Sequence, residues 1–196
     1  MMEIKHPLNL TIWLIWIGFI KDQGPTLVLK GGSAYCNEYA LENDSKNVPP
    51  VSKEILGVLK CTKFAGISPD RRNLIFWDYP SVRMYSFKSR KSKPIYKLKP
   101  SSGFSDLIWN SSGTKAAFVA VNLDRQSTLI VICLENRKTE IKEFNISINY
   151  FCGKSCSPLS DDFWFDSENT INYKAPYYYE DENEDSVKVD SIRIFD

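Results

Sequence analysis

The stretch "GFSDLIWNSSGTKAAFVAV", residues 103–121, joins an apolar run ending in Trp109, a polar turn at Asn110-Ser111-Ser112-Gly113, and a second apolar run. This unit recurs. "FAGISPDRRNLIFWDYPSVRMYSFKSRKSKPIYKLKP" (64–100) aligns with "DLIWNSSGTKAAFVAVNLDRQSTLIVICLENRKTEIKEF" (106–144) at an offset of 42 residues. In both copies a first strand ends at Ile67 or Trp109 and a polar turn follows. The later runs are Leu74–Trp77 or Ala116–Val119, Val82–Phe87 or Leu129–Leu134, and Pro94–Leu98 or Glu140–Phe144. A stretched third copy in 161–196 has Trp164, a turn at Asp166–Asn169, then Thr170–Tyr173 and Ser191–Phe195. An acidic insertion splits its second and third strands, and no fourth run follows. A repeat constrains the fold strongly, because a unit that cannot bury its own apolar face must stack on its neighbours.

Four short strands in about 40–45 residues is the content of a β-propeller blade. The turn residues Asp70, Asn73, Asn110 and Gly113 tolerate the tight reversals that such strands need. Alternation such as Val82-x-Met84-x-Ser86 and Ile192-x-Ile194 gives a strand one buried face. The expected fold is therefore all-β: consecutive antiparallel four-stranded sheets, propeller-like, near 64–100, 106–144 and 161–196. Ile67, Trp109 and Trp164 are expected at equivalent first-strand positions. Phe76, Phe118 and Tyr173 are expected at equivalent second-strand positions, all facing the packing between sheets.

The stretches "ISPDRRNLIFW" and "IWNSSGTKAAFV" resemble the TolB-type β-propeller repeat, whose hallmark is a W-S-P-D-G-K-like turn followed by I-A-F and a later I-Y-V-like strand. The resemblance spans about residues 59–196. The first copy has Ser-Pro-Asp without Gly, and the second has Gly without Pro-Asp. It implies a blade-built shape and protein or peptide partners, in proteins that are mostly periplasmic or are accessory domains of peptidases. The motif itself carries no catalytic residue. Propellers close with about 4–8 blades, so two clear copies and one partial copy predict an incomplete or open ring.

Before the repeats, Thr11–Ile20 is an apolar block behind Lys5 and His6. It is too short to span a bilayer and of the length of a signal-peptide core. Residues 1–24 read as a signal peptide or N-terminal anchor, with a buried strand or helix as the alternative, and 25–196 as one domain. The expected location is exported, periplasmic or secreted. Within 26–61, "TLVLK" and "ILGVLKC" read as strands, and the Asn43–Asn47 and Pro49-Pro50 region as loop. Cys36 with Cys61, and Cys152 with Cys156, are disulfide candidates suited to an oxidising compartment, leaving Cys133 as a core thiol.

Chemistry narrows by what the chain lacks. A leader containing His6, the only histidine, would leave the mature protein without Ser-His-Asp or Cys-His catalysis. No G-x-S-x-G, G-x-G-x-x-G or Walker sequence occurs, and "KGGSAY" (30–35) reads as a turn. Asp161-Asp162 and Glu180–Asp185 supply carboxylates, but a glycosidase needs two across one cleft. Asp181, Asn183 and Asp185 match the start of a calcium loop, which then fails at Ser186 and Ile192. No cofactor is expected, with Ca²⁺ at that loop the alternative. The formal net charge of +1 offers no field to attract nucleic acid, and "KSRKSKPIYKLK" (88–99) reads as a solvated turn. Asn43, Asn110 and Asn145 begin N-x-[ST] sequons.

What remains is a binding or interaction module for a protein or peptide partner. Its candidate surface is aromatic: Trp77, Tyr79, Tyr85 and Tyr96, with Tyr177, Tyr178 and Tyr179, against the alternative that these rings are core. The rival is a carboxylate-based hydrolase or the accessory propeller part of a peptidase.

Overall fold

The computed structural model describes residues 24–32, 36–43, 51–135, 138–152, 156–158, 161–176 and 188–194. The segment before Gly24, the tyrosines at 177–179 and the calcium-loop candidates Asp181, Asn183 and Asp185 lie outside them.

The described chain opens with a hairpin, β1 (Pro25–Gly32) and β2 (Asn37–Asn43), followed by one short helix, α1 (Lys53–Leu59). The first sheet takes β3 (Ala65–Ile67), β4 (Asn73–Asp78), β5 (Ser81–Ser86) and β6 (Lys91–Lys97) in sequential antiparallel order. The second contains β7 (Ser101–Phe104), β8 (Ile108–Trp109), β9 (Lys115–Asn122), β10 (Ser127–Cys133) and β11 (Glu140–Ile146). Its order is β11-β10-β9-β7, with β8 also on β9. A small pair, β12 (Phe151–Cys152) and β13 (Cys156–Ser157), precedes the third sheet of β14 (Phe163–Ser167), β15 (Thr170–Lys174) and β16 (Val189–Arg193). The protein is mostly β, and none of these sheets closes on itself.

The repeated sequence produces a repeated register. Ile67 pairs with Leu74, and Trp109 pairs with Ala116, the same pairing displaced by 42 residues. The left-handed turn residue recurs at that displacement too, Arg71 at φ 58° and Gly113 at φ 71°. In the second sheet the first strand position is split into β7 and β8. The break is closed by Ser105, whose N–H donates to the Val119 carbonyl at 2.9 Å and whose hydroxyl accepts from the Val119 N–H at 2.8 Å.

Stacking follows from the alternation of side chains across each strand. Leu74, Phe76 and Tyr85 face α1 and the hairpin, packing on Ile55, Leu59, Leu27 and Leu41. From the opposite face of the first sheet, Ile75 and Val82 meet Ala116, Phe118 and Ile130 of the second. The second sheet's other face, with Val119, Leu129 and Val131, covers Phe163, Ile171 and Tyr173 of the third. Strands β9 and β10 are buried on both faces, which explains why they read as almost unbroken apolar runs. Phe76, Phe118 and Tyr173 each point toward the preceding layer.

Two expectations need correction. "ILGVLKC" is not a strand: Ser52 caps α1 by accepting from the Ile55 N–H, and Ile55 and Leu59, four residues apart, bury one helical stripe. The polar "NEYALEN" forms β2 instead. Trp164 does not face the packing. It is 36% exposed on the outer side of the third sheet, while Phe165, paired with Ile171, packs inward at the position of Ile67 and Trp109.

Candidate functional site

The hairpin turns divide the stack into two ends. At one end the turns of successive sheets lie side by side. Pro69 and Asp70 stand against Gly113, where a Cβ would meet the Pro69 Cδ at 3.3 Å. The Glu168 carboxylate, in the β14–β15 turn, accepts from the Ser111 and Ser112 hydroxyls at 2.5 Å, from the Ser112 N–H at 3.2 Å and from the Asn110 amide. Asn110 also accepts from the Lys115 N–H at 2.8 Å and is only 1% exposed, so its sequon is closed in the folded chain. These turns satisfy one another, and a hollow of about 410 Å³ lined by Pro25, Leu27, Ile67 and Arg71 opens beside the first of them.

The opposite end is open. The β4–β5 turn, the β6–β7 connection and the β9–β10 turn meet around a hollow of about 320 Å³ lined by Lys63, Trp77, Tyr79, Leu98, Phe104 and Leu123, among others. Tyr79 is 74% exposed and Leu123 70% exposed, the largest values among the exposed large apolar side chains. The Trp77 and Tyr79 rings lie 6.1 Å apart at 47°, and the buried Trp77 indole N–H has no hydrogen-bond partner. Lys99, also in the lining, donates to Glu143 at 2.5 Å, and Glu143 accepts from the Tyr96 hydroxyl at 2.9 Å. The Lys99 bond holds the Glu143 carboxyl below the usual range, whereas burial and then the Glu143 contact push the Tyr96 phenol upward.

The aromatic residues named from sequence therefore separate. Trp77 and Tyr79 share this hollow. Tyr96 is half-buried between the first two sheets, its ring centroid 6.4 Å from that of Phe118 in an edge-on arrangement. Tyr85 is 2% exposed under α1, where burial raises its pKa, and offers no recognition surface. Sequence reasoning missed Lys63, Leu98, Phe104 and Leu123, which three separate connections bring together without a shared motif.

The remaining candidates fall elsewhere. Cys36 and Cys61 form a disulfide with Cα atoms 5.0 Å apart, and Cys133 is a free, buried thiol. The Cα atoms of Cys152 and Cys156 are direct cross-strand partners; their side chains lie outside the description. Asp161 and Asp162 both pair with Lys174, at 3.4 and 3.5 Å. Among the described residues no group of three or more His, Cys, Asp or Glu side chains could hold a metal ion.

No protein-family model and no curated protein matches the sequence. Among solved structures, the fold is similar to the crystal structure of TolB from Acinetobacter baumannii, at 11% identity and a TM-score of 0.45. The match covers 86% of this chain and 38% of that one, so the chain spans well under half of that protein's length.

Proposed function

We propose that this protein is an exported binding module that recognises a protein or peptide partner through the hollow at Trp77, Tyr79, Leu98, Phe104 and Leu123. One observation carries the reading: two large side chains, Tyr79 and Leu123, stand mostly in solvent beside an apolar recess. Exposing them costs about 25 cal/mol for each Å² of apolar surface left in water, which a partner would recover. Aromatic anchors seated in such recesses carry most of the binding energy in known interfaces. Lys63 adds positive charge to the lining, whereas Lys99 is already paired with Glu143, so the partner is an apolar anchor residue with an acidic neighbour. The Cys36–Cys61 bridge supports export, because such bonds persist in oxidising compartments.

Selection of displayed random peptides against the wild-type protein tests the reading. Selected peptides should carry an aromatic or aliphatic anchor beside Asp or Glu, and should lose at least tenfold in affinity to Tyr79→Ala combined with Leu123→Ser. Peptides that bind the double variant as well as the wild type would place recognition elsewhere.

A further inference from the structure

A second hollow, of about 560 Å³, opens at the same end, where the β9–β10 turn, the end of β11 and the segment after it meet Pro176. Six of its lining residues carry the argument: Arg125, Ser127, Asn145, Ser147, Asn149 and Tyr150. Burial alternates strictly along 145–149, with Asn145, Ser147 and Asn149 exposed and Ile146 and Ile148 buried between them. That alternation places two amides and a hydroxyl along one side of an extended segment, about 6.6–6.8 Å apart.

The segment is held in place. The Asn149 N–H donates to the Lys174 carbonyl of the third sheet at 3.0 Å, and the Tyr150 hydroxyl donates to the Arg125 carbonyl at 3.1 Å. The second contact fixes the turn that presents Arg125, whose guanidinium is exposed and makes no hydrogen bond or ion pair among the described residues. Ser127 is 4% exposed, and its hydroxyl has no partner although it is buried. A buried polar group left unpaired costs on the order of 1–3 kcal/mol, so a ligand that supplies the partner gains there. No carboxylate lines the hollow.

We propose that this hollow binds the carboxyl-terminal end of an extended peptide, with the carboxylate on Arg125 and the peptide backbone on Asn145, Ser147 and Asn149. An extended peptide turns its N–H and C=O groups to one side at two-residue intervals, the spacing that these three side chains keep. Asn carries both a donor and an acceptor, so it reads backbone amides whatever the peptide's side chains are. A planar guanidinium meets a carboxylate with two parallel hydrogen bonds. Leu123 and Arg125 share the β9–β10 turn, whereas Tyr79 lies on the β4–β5 turn and takes no part in this site.

The test titrates the full chain by NMR with a pool of N-acetylated random tetrapeptides bearing free carboxyl termini, with the same pool amidated, and with glucuronate. The free-acid pool should shift the amide signals around Arg125 and Asn145–Tyr150. The amidated pool should bind at least tenfold more weakly, and Arg125→Gln should remove that difference. Tyr79→Ala, in a different turn from Arg125, should leave the titration unchanged, so failure of the other site is distinguishable. Equal binding of acid and amide, no binding of either, or binding of glucuronate alone would each overturn the proposal, the last by assigning the hollow to carbohydrate.

Discussion

Gly66 of the first sheet lies so close to Trp109 of the second that a Cβ on the glycine would stand 3.0 Å from the indole Nε1 and 2.9 Å from the Leu107 side chain. The Trp109 ring therefore occupies the space that any other residue at 66 would need. Gly66→Ala should shift the indole and destabilise the protein by about 1–3 kcal/mol, the usual cost of overpacking. Gly57, inside α1, has nothing within 4 Å of its virtual Cβ, and Gly57→Ala should stabilise by about 0.5–1 kcal/mol through helix propensity. Urea unfolding of the two variants checks both signs; a neutral Gly66→Ala would mean that the sheets can separate there at no cost.

Phe118 sits between the first two sheets, its ring centroid 4.7 Å from Phe64 and 6.3 Å from Phe104, and it is fully buried. Phe118→Ala should cost about 3–5 kcal/mol, a large part of the roughly 5–15 kcal/mol that holds a domain folded. Lys91→Ala, at an exposed start of β6, should change stability by less than about 0.5 kcal/mol. Thermal melts of the pair check the contrast.

Residues whose surroundings are set by near neighbours in sequence were legible. The turn at Asn110–Gly113 and the two apolar runs around it fix a hairpin locally, and the 42-residue displacement carried that hairpin's register to Ile67 and Leu74. Trp164 shows where the reading fails. A register shift between Phe165 and Ser167 reverses which of two adjacent aromatics faces inward, and one residue of slip changes the face. The helix at 53–59 was hidden because seven residues give too few turns for a period to show. Tyr85 takes the core alternative that the sequence left open, because α1 covers its face of the first sheet. The hollow at Tyr79 and Leu123 depends on connections 44 residues apart in the chain, which only the stacking of sheets brings together.

Acid should loosen the row of turns. The bonds from Ser111 and Ser112 hold the Glu168 carboxyl below its ordinary value of 4.5. A carboxyl lowered in the folded state adds stability above the unfolded value, about pH 4.5, and loses it as pH falls through the lowered folded value. Because Glu168 is exposed, the contribution is less than about 1 kcal/mol. Glu143, lowered chiefly by Lys99, acts with the same sign. Glu168→Gln should therefore reduce, and not abolish, the fall in Tm between pH 6 and pH 3, while Glu168→Gln with Glu143→Gln should flatten it further. An undiminished fall in the double variant would show that other carboxyls govern acid stability.

Opening the Cys36–Cys61 bridge should release the hairpin from α1. The bond joins residues 25 apart, and closing a loop of that length stabilises the folded chain by on the order of 3 kcal/mol. Cys36→Ser with Cys61→Ser should lower the urea midpoint and speed amide exchange in β1 and β2, leaving β9 and β10 protected, since those strands bury both faces without the hairpin. Uniform loss of protection across all strands would mean that hairpin and stack unfold as one.

Thiol counting separates the other three cysteines. Burial outweighs the opposing attraction of Lys115 and raises the Cys133 thiol to about 11, so at pH 8 it is almost wholly protonated as well as shielded. Native protein should leave Cys133 unlabelled by a thiolate-specific reagent, and denaturation should expose it. Cys152 and Cys156 are Cα partners across an antiparallel pair, a register compatible with a cross-strand bond. Protein purified without reductant from an oxidising compartment should then show one thiol per chain in denaturant, that of Cys133. Three thiols under the same conditions would leave Cys152 and Cys156 unbridged, with Cys36–Cys61 the only bond formed.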